Sequence, residues 1–230
     1  CAACRVDLPA SAAAAVATVP LCAACGRLLS VDTARCGVCG DPVAGHGDCR
    51  CRRGRRADWD GIVVLGGYGE ELREAVLRAK RPAGNDLAAA LAALLHRKHA
   101  ETMSAWGIDA VVPVPMHWMR RVARGISLAD ELAGRLARCL KAPCLSLLRR
   151  RRCTPMQNTL PVEHRRGNVR EAFAVRGRPV GRRLLLVDDV VTTGGTLAEC
   201  RRTLVAAGAA AVFAAAVAKA ERGRDADREA

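Results

Sequence analysis

From residue 58 to about residue 220, short continuous apolar runs alternate with stretches whose apolar residues recur every three or four positions. The run "DGIVVLGGYG" reads as a strand and a turn. "EELREAVLRAKR" follows, with Leu72, Val76 and Leu77 at helical spacing and acidic residues at its start. It predicts a helix that Pro82 and Gly84 end. "DLAAALAALLHRKHA" predicts a second helix, capped by Asn85 or Asp86. "IDAVVPVPMH" is a buried strand stopped at Pro113 and Pro115, and "ISLADELAGRLARCL" a helix capped by Ser127. After a long segment of weak periodicity come a strand, "RRLLLVDD", a helix, "TLAECRRTLVAAG", with Gly208 as its stop, and a last strand, "AAVFAAAVA". Strands alternating with helices of this length predict an α/β fold, a mostly parallel sheet with helices on both faces. Residues 1–57 lack such periodicity and read as knuckles and loops of a small separate domain. The main domain is expected over 58–220, with a charged, frayed tail over 221–230.

Composition adjusts this picture in two places. Aromatics are only 3% of the 230 residues, so the core must be built from Leu, Val and Ala. The formal charge of +14 points to anionic partners, although abundant arginine and alanine are also what a GC-rich genome produces. No run of 18 apolar residues is free of charge, and no signal peptide is visible. A cytoplasmic protein without a membrane span is expected.

Eight of the twelve cysteines fall in the first 51 residues. Cys1-x2-Cys4, Cys22-x2-Cys25 and Cys36-x2-Cys39 are knuckle pairs, and Cys49-x-Cys51 is an irregular fourth. The x2 spacing lets two thiolates converge on one tetrahedral ion, so four pairs supply two structural zinc sites. Sequential pairing gives Cys1, Cys4, Cys22, Cys25 and Cys36, Cys39, Cys49, Cys51. An interleaved pairing, or a His46-x2-Cys49 knuckle that leaves Cys51 free, is also compatible with the spacing. So short a segment cannot bury a sufficient core, and bound zinc typically supplies about 10–16 kcal/mol to such folds.

The most informative stretch is "LLLVDDVVTTGGT", residues 184–196. A strand ending in Asp188 and Asp189 delivers two carboxylates where open α/β sheets bind ligands. The Thr/Gly loop beyond it turns backbone amides inward ahead of a helix N-terminus, which suits a phosphate. The acids repel a phosphate and suit hydroxyls or a metal instead. A ribose 5-phosphate offers both chemistries in one small molecule.

This pattern resembles the 5-phosphoribosyl-1-pyrophosphate (PRPP) signature of type I phosphoribosyltransferases. The resemblance implies that Asp188 and Asp189 are the catalytic acids that meet the ribose hydroxyls. It implies that Val190, Val191, Thr192, Thr193, Gly194, Gly195 and Thr196 form the 5-phosphate loop, and that Mg²⁺ accompanies PRPP. "VVPVPMHWMRRVARG", "RRRCTPMQNTLPVEHRRGNVREAF" and "YGEELREAVLRAK", with Lys80 at the family's lysine position, resemble the ComF family of competence-related proteins. An N-terminal double zinc ribbon is that family's usual companion. By the same resemblance the Pro113-Val114-Pro115 turn sits where these enzymes cradle pyrophosphate. The arginine-rich segment is their mobile flap, with Arg150, Arg152, Thr154, Gln157 and Arg165 as candidate contacts. The chain departs from the family at Ile126-Ser127-Leu128, where the family reads Phe-Asn-Gln, so amide side chains are missing there. The role implied is DNA uptake or DNA utilisation. Three readings compete: a transferase with an unknown acceptor, a non-catalytic PRPP sensor that binds single-stranded DNA or a competence partner, and a nucleobase salvage enzyme. The zinc ribbon argues against the last, because salvage does not need it.

Overall fold

The computed structural model describes residues 1–6, 21–30, 33–43, 49, 51, 59–116, 127–151 and 171–220. Four strands form a parallel sheet in the order β1-β6-β5-β2: β1 (Ile62–Gly67), β6 (Ala211–Lys219), β5 (Arg183–Val191) and β2 (Ala110–Pro113). Beside β2 the chain runs parallel again at 143–145. The Val111 amide donates to Pro143 O at 2.9 Å and Val111 O accepts from the Leu145 amide at 2.8 Å. A separate antiparallel pair, β3 (Leu148–Arg150) with β4 (Phe173–Val175), brackets the arginine-rich segment.

The central strands are apolar throughout Leu184–Val187 and Ala211–Ala218 because both sheet faces are covered there. In β5, Leu185 and Val187 pack on one face with α2 (Glu70–Ala79), α3 (Asn85–Lys98) and α5 (Leu128–Leu140). Leu184 and Leu186 pack on the other with α6 (Gly195–Ala206), β3 and β4. β6 is mostly alanine and valine, with Phe213 stacked on Trp106 at a centroid distance of 4.6 Å. Two short helices complete the described residues: α1 (Ala23–Leu29) in the cysteine-rich segment and α4 (Ala100–Ala105) after α3.

Among the described α-helices, α1 and α5 are capped by a side chain at the N-terminus. Ser127 Oγ accepts from the Asp130 amide at the start of α5, as expected. Two expectations fail. Neither Asn85 nor Asp86 caps α3; its N-cap is Gly84, at the end of a 3₁₀ turn over Pro82–Gly84 that leads straight into the helix. A side chain at Gly84 would lie 2.5 Å from Ala79 O, so the chain passes too tightly there for any other residue. Leu77 is exposed; α2 buries Leu72, Ala75, Val76 and Ala79, a stripe in which alanine takes the place assigned to leucine.

β1 lies at one edge of the sheet. The Ile62 amide donates to Gly37 O at 2.8 Å, and Val64 O accepts from His99 Nε2 at 2.9 Å. Because a carbonyl only accepts, His99 carries its proton on Nε2, and burial holds its pKa below the ordinary histidine value.

Candidate functional site

β5 continues to Val191, so Asp188 and Asp189 sit within its carboxyl-terminal end. Alternation along the strand sends them to opposite faces, Asp188 toward α6 and Asp189 toward α2. Asp188 Oδ1 accepts from the Asp189 amide at 2.8 Å, and Asp189 Oδ1 accepts from the Val190 amide at 2.7 Å. Lys80, the C-cap of α2, forms an ion pair with Asp189. Burial, and next the Asp189 charge, hold the Asp188 carboxyl well above the ordinary carboxylate range, while Lys80 pulls it the other way. The fully buried Cys200 of α6 feels the Asp188 charge. Burial first, then that charge, raise its thiol pKa and keep it neutral.

Val190 and Val191 belong to the strand, paired with Ala218 and Lys219, so the turn between β5 and α6 is only Thr192–Gly194. Gly194 is the N-cap of α6 at φ 79°, a left-handed conformation that glycine adopts at little cost. Its carbonyl accepts from the Ala198 amide at 2.9 Å, and Thr193 Oγ1 accepts from the Gly195 amide at 3.4 Å. A Cβ on Gly194 would lie 2.7 Å from Cη2 of Trp59, whose buried indole backs the turn. The N-terminus of this 12-residue helix thus opens beside the two carboxylates, with its partial positive charge directed at the loop. In the second turn Glu199 is buried. It pairs with Arg202 at 2.6 Å and accepts from the Glu171 amide at 2.7 Å, fixing the point where the chain re-enters toward β4.

The Pro-Val-Pro turn is one strand away. Pro113 pairs with Val187, and the Val114 amide donates to Val187 O at 2.9 Å. Pro113, Val114 and Pro115 therefore border the acids. Arg150 closes β3, its guanidinium 5.5 Å from the Phe173 ring centroid, and its charge lowers the Cys200 thiol pKa. Arg152, Thr154, Gln157 and Arg165 lie outside the described residues, as does His46.

The cysteines gather as two groups of four, Cys1, Cys4, Cys22, Cys25 and Cys36, Cys39, Cys49, Cys51, with the sulfurs in each group all within 4.8 Å of one another. This is the sequential pairing. Cys51 Sγ lies 3.6 Å from Cys36 Sγ, so the irregular pair joins its site. Tetrahedral zinc with Zn–S bonds of about 2.3 Å sets sulfurs roughly 3.8 Å apart. Contacts of 3.8 Å (Cys4–Cys22) and 3.6 Å (Cys36–Cys51) fit that edge, and Cys39–Cys49 is closer, at 3.2 Å. The Cys25 amide pulls the Cys22 thiol pKa down, while burial pushes Cys25 up to about 11. Four thiolates cannot share so small a volume without a cation, so the donor set suits zinc.

Some residues at the site carry little sequence signal. Trp59 is a lone aromatic in a loop. Lys219 ends an alanine-rich strand, yet it is buried and reaches both Asp41 and the turn. The only hint in the chain is a cation in an otherwise apolar run.

A phosphoribosyl transferase domain matches residues 82–230. DNA utilization protein YhgH of Escherichia coli (strain K12) is 32% identical over 198 residues, 84% of this chain and 87% of that protein. Competence protein F of Haemophilus influenzae is 31% identical over 196 residues, 82% of this chain and 80% of that protein. Ribose-phosphate pyrophosphokinase 1 of Streptococcus agalactiae is 34% identical over 108 residues, 47% of this chain and 27% of that protein. With its parallel sheet, its two cysteine quartets and these relatives, the chain belongs to the ComF family of phosphoribosyltransferase-domain proteins, on a type I phosphoribosyltransferase fold.

Proposed function

We propose that the chain binds PRPP, or a related ribose 5-phosphate, at the carboxyl end of β5, and that it serves in DNA uptake or in the use of DNA as a nutrient. One observation carries the ligand: two carboxylates stand directly beside a Thr-Gly turn whose left-handed Gly194 opens a 12-residue helix. The helix N-terminus and turn amides receive the 5-phosphate. Asp188 and Asp189 accept from the ribose hydroxyls, and Lys80 yields Asp189 to them. The two carboxylates are also the hard oxygen donors that Mg²⁺ takes, and the ion would screen pyrophosphate charge. Pro113–Pro115 and Arg150 border the place left for pyrophosphate. The biological role rests on the names of the two long relatives and on the charge of +14, which suits a polyanion.

Isothermal titration of PRPP with Mg²⁺ into wild type and an Asp188→Asn/Asp189→Asn double variant tests the ligand. Charge-assisted hydrogen bonds contribute roughly 1.5–3 kcal/mol each. At least about a tenfold loss of affinity is therefore expected, which needs only about 1.4 kcal/mol. Equal affinity in a well-folded double variant refutes the site. Pyrophosphate release with candidate acceptors then separates a transferase from a ligand-sensing module.

A further inference from the structure

Lys219 stands where the cysteine-rich segment meets the Thr-Gly turn. It is the last residue of β6 and is only 8% exposed. Its Nζ lies 3.0 Å from Asp41 Oδ1 and donates to Thr192 O at 3.5 Å. Asp41 belongs to the second cysteine quartet's knuckle, two residues after Cys39, where its carbonyl accepts from the Cys36 amide at 2.9 Å. Gly40 seals the contact. It adopts φ 76°, and a Cβ there would meet Lys219 Cδ at 3.2 Å and Ile62 Cγ2 at 3.5 Å. On the other side the main chain locks Lys219 against the site, since the Ala220 amide donates to Val191 O at 2.8 Å. A buried ammonium needs partners, and this one has one in each unit.

We infer that Lys219 is a positioning residue that couples the second zinc site to the 5-phosphate loop. With Asp41 held by a metallated knuckle, the ammonium is fixed under Thr192 and sets the start of the turn. Its remaining positive charge also favours an anion above the loop. Released from Asp41, the ammonium keeps only its 3.5 Å contact with Thr192 O, and the turn is held less firmly. Coupling is reciprocal, so ligand in the loop must also hold the zinc more tightly. This inference deepens the ribose-phosphate reading and rests on it for the ligand.

The test uses full-length, zinc-loaded protein. Ribose 5-phosphate affinity is measured by calorimetry, and zinc loss by transfer to a chromogenic chelator with and without the sugar phosphate. Lys219→Met keeps the aliphatic stem against Gly40 and removes the charge. It should weaken ribose 5-phosphate binding about 5- to 20-fold, hasten zinc loss from one of the two sites, and abolish the protection that the sugar phosphate gives wild type. Lys219→Arg should restore most of all three. If Lys219→Met does not fold, Asp41→Asn breaks the same contact from the knuckle and is read the same way. Wild-type affinity and zinc protection in Lys219→Met overturn the coupling. If wild type itself ignores ribose 5-phosphate, the ligand reading fails instead. The clasp is then judged by zinc loss alone: faster loss in Lys219→Met supports it, an unchanged rate overturns it.

Discussion

Gly194→Ala should damage the protein through two separable causes. At φ 79° an alanine pays the left-handed penalty of L-residues, about 1–2 kcal/mol. Its methyl would also lie 2.7 Å from Cη2 and 3.2 Å from Cζ3 of Trp59. That indole is buried in the same apolar cluster as Ile62, Val64 and Leu197, so it cannot swing away freely, and overpacking of this kind costs about 1–3 kcal/mol. Together they give a loss of about 2–5 kcal/mol, or about 4–20 °C in Tm for a domain this size. Trp59→Phe removes the ring atoms that clash and leaves the backbone penalty. In a double-mutant cycle followed by urea denaturation, the double variant should recover about 1–3 kcal/mol relative to additivity. Additive behaviour, or Gly194→Ala within about 0.5 kcal/mol of wild type, would show that the turn is not held as described.

Three further outcomes follow from the same geometry. Asp188→Asn keeps the hydrogen bond from the Asp189 amide but removes a charge whose pKa the fold raises. The folded state binds more protons than the unfolded between the ordinary carboxylate range and that raised value, so wild type loses stability as pH rises through this window. Asp188→Asn should therefore melt higher than wild type near pH 7, with the gain vanishing near about pH 4; equal melting at both pH values refutes the burial argument. Elemental analysis should find about two zinc ions per chain, four thiolates to each; a value near one would mean that Cys49 and Cys51 do not close their site. Single-stranded DNA binding should weaken steeply with salt and show little sequence preference, because phosphate contacts release counterions and only six aromatics are available for stacking; salt-independent binding contradicts this.

The doubly covered sheet was legible because Leu184–Val187 and Ala211–Ala218 are short runs, apolar at every position, that alternate with helical periods, the order a parallel sheet covered on both faces requires. The acids and the turn stand out for a related reason: two adjacent carboxylates are foreign to the apolar run that they end. The run misled at its boundary. Val190 and Val191 read as loop because they follow two aspartates, yet ladder pairing with β6 carries the strand past the charges. α1 was invisible because a seven-residue helix in a cysteine-rich segment has too little apolar periodicity; the local order there comes from sulfur geometry. The sequential pairing of the knuckles was one option among several, since spacing fixes pairs but not which pairs meet. Lys80 against Asp189 and Trp59 behind Gly194 are contacts between distant segments, and a single sequence holds no period or spacing that reports them.

The edge of β1 has a consequence for handling the protein. An unprotected edge strand offers free backbone groups to any other chain, and proteins cover such edges to stay apart. Here the Ile62 amide is taken by Gly37, which sits inside the Cys36–Cys39 knuckle, and the Val64 carbonyl by His99. Half of that cover depends on the knuckle keeping its shape. Chelation or thiol oxidation would bare an apolar strand, so metal-stripped protein should associate edge to edge and precipitate while its sheet is still folded. The second cysteine quartet is then a guard against aggregation as well as a brace for the N-terminal segment.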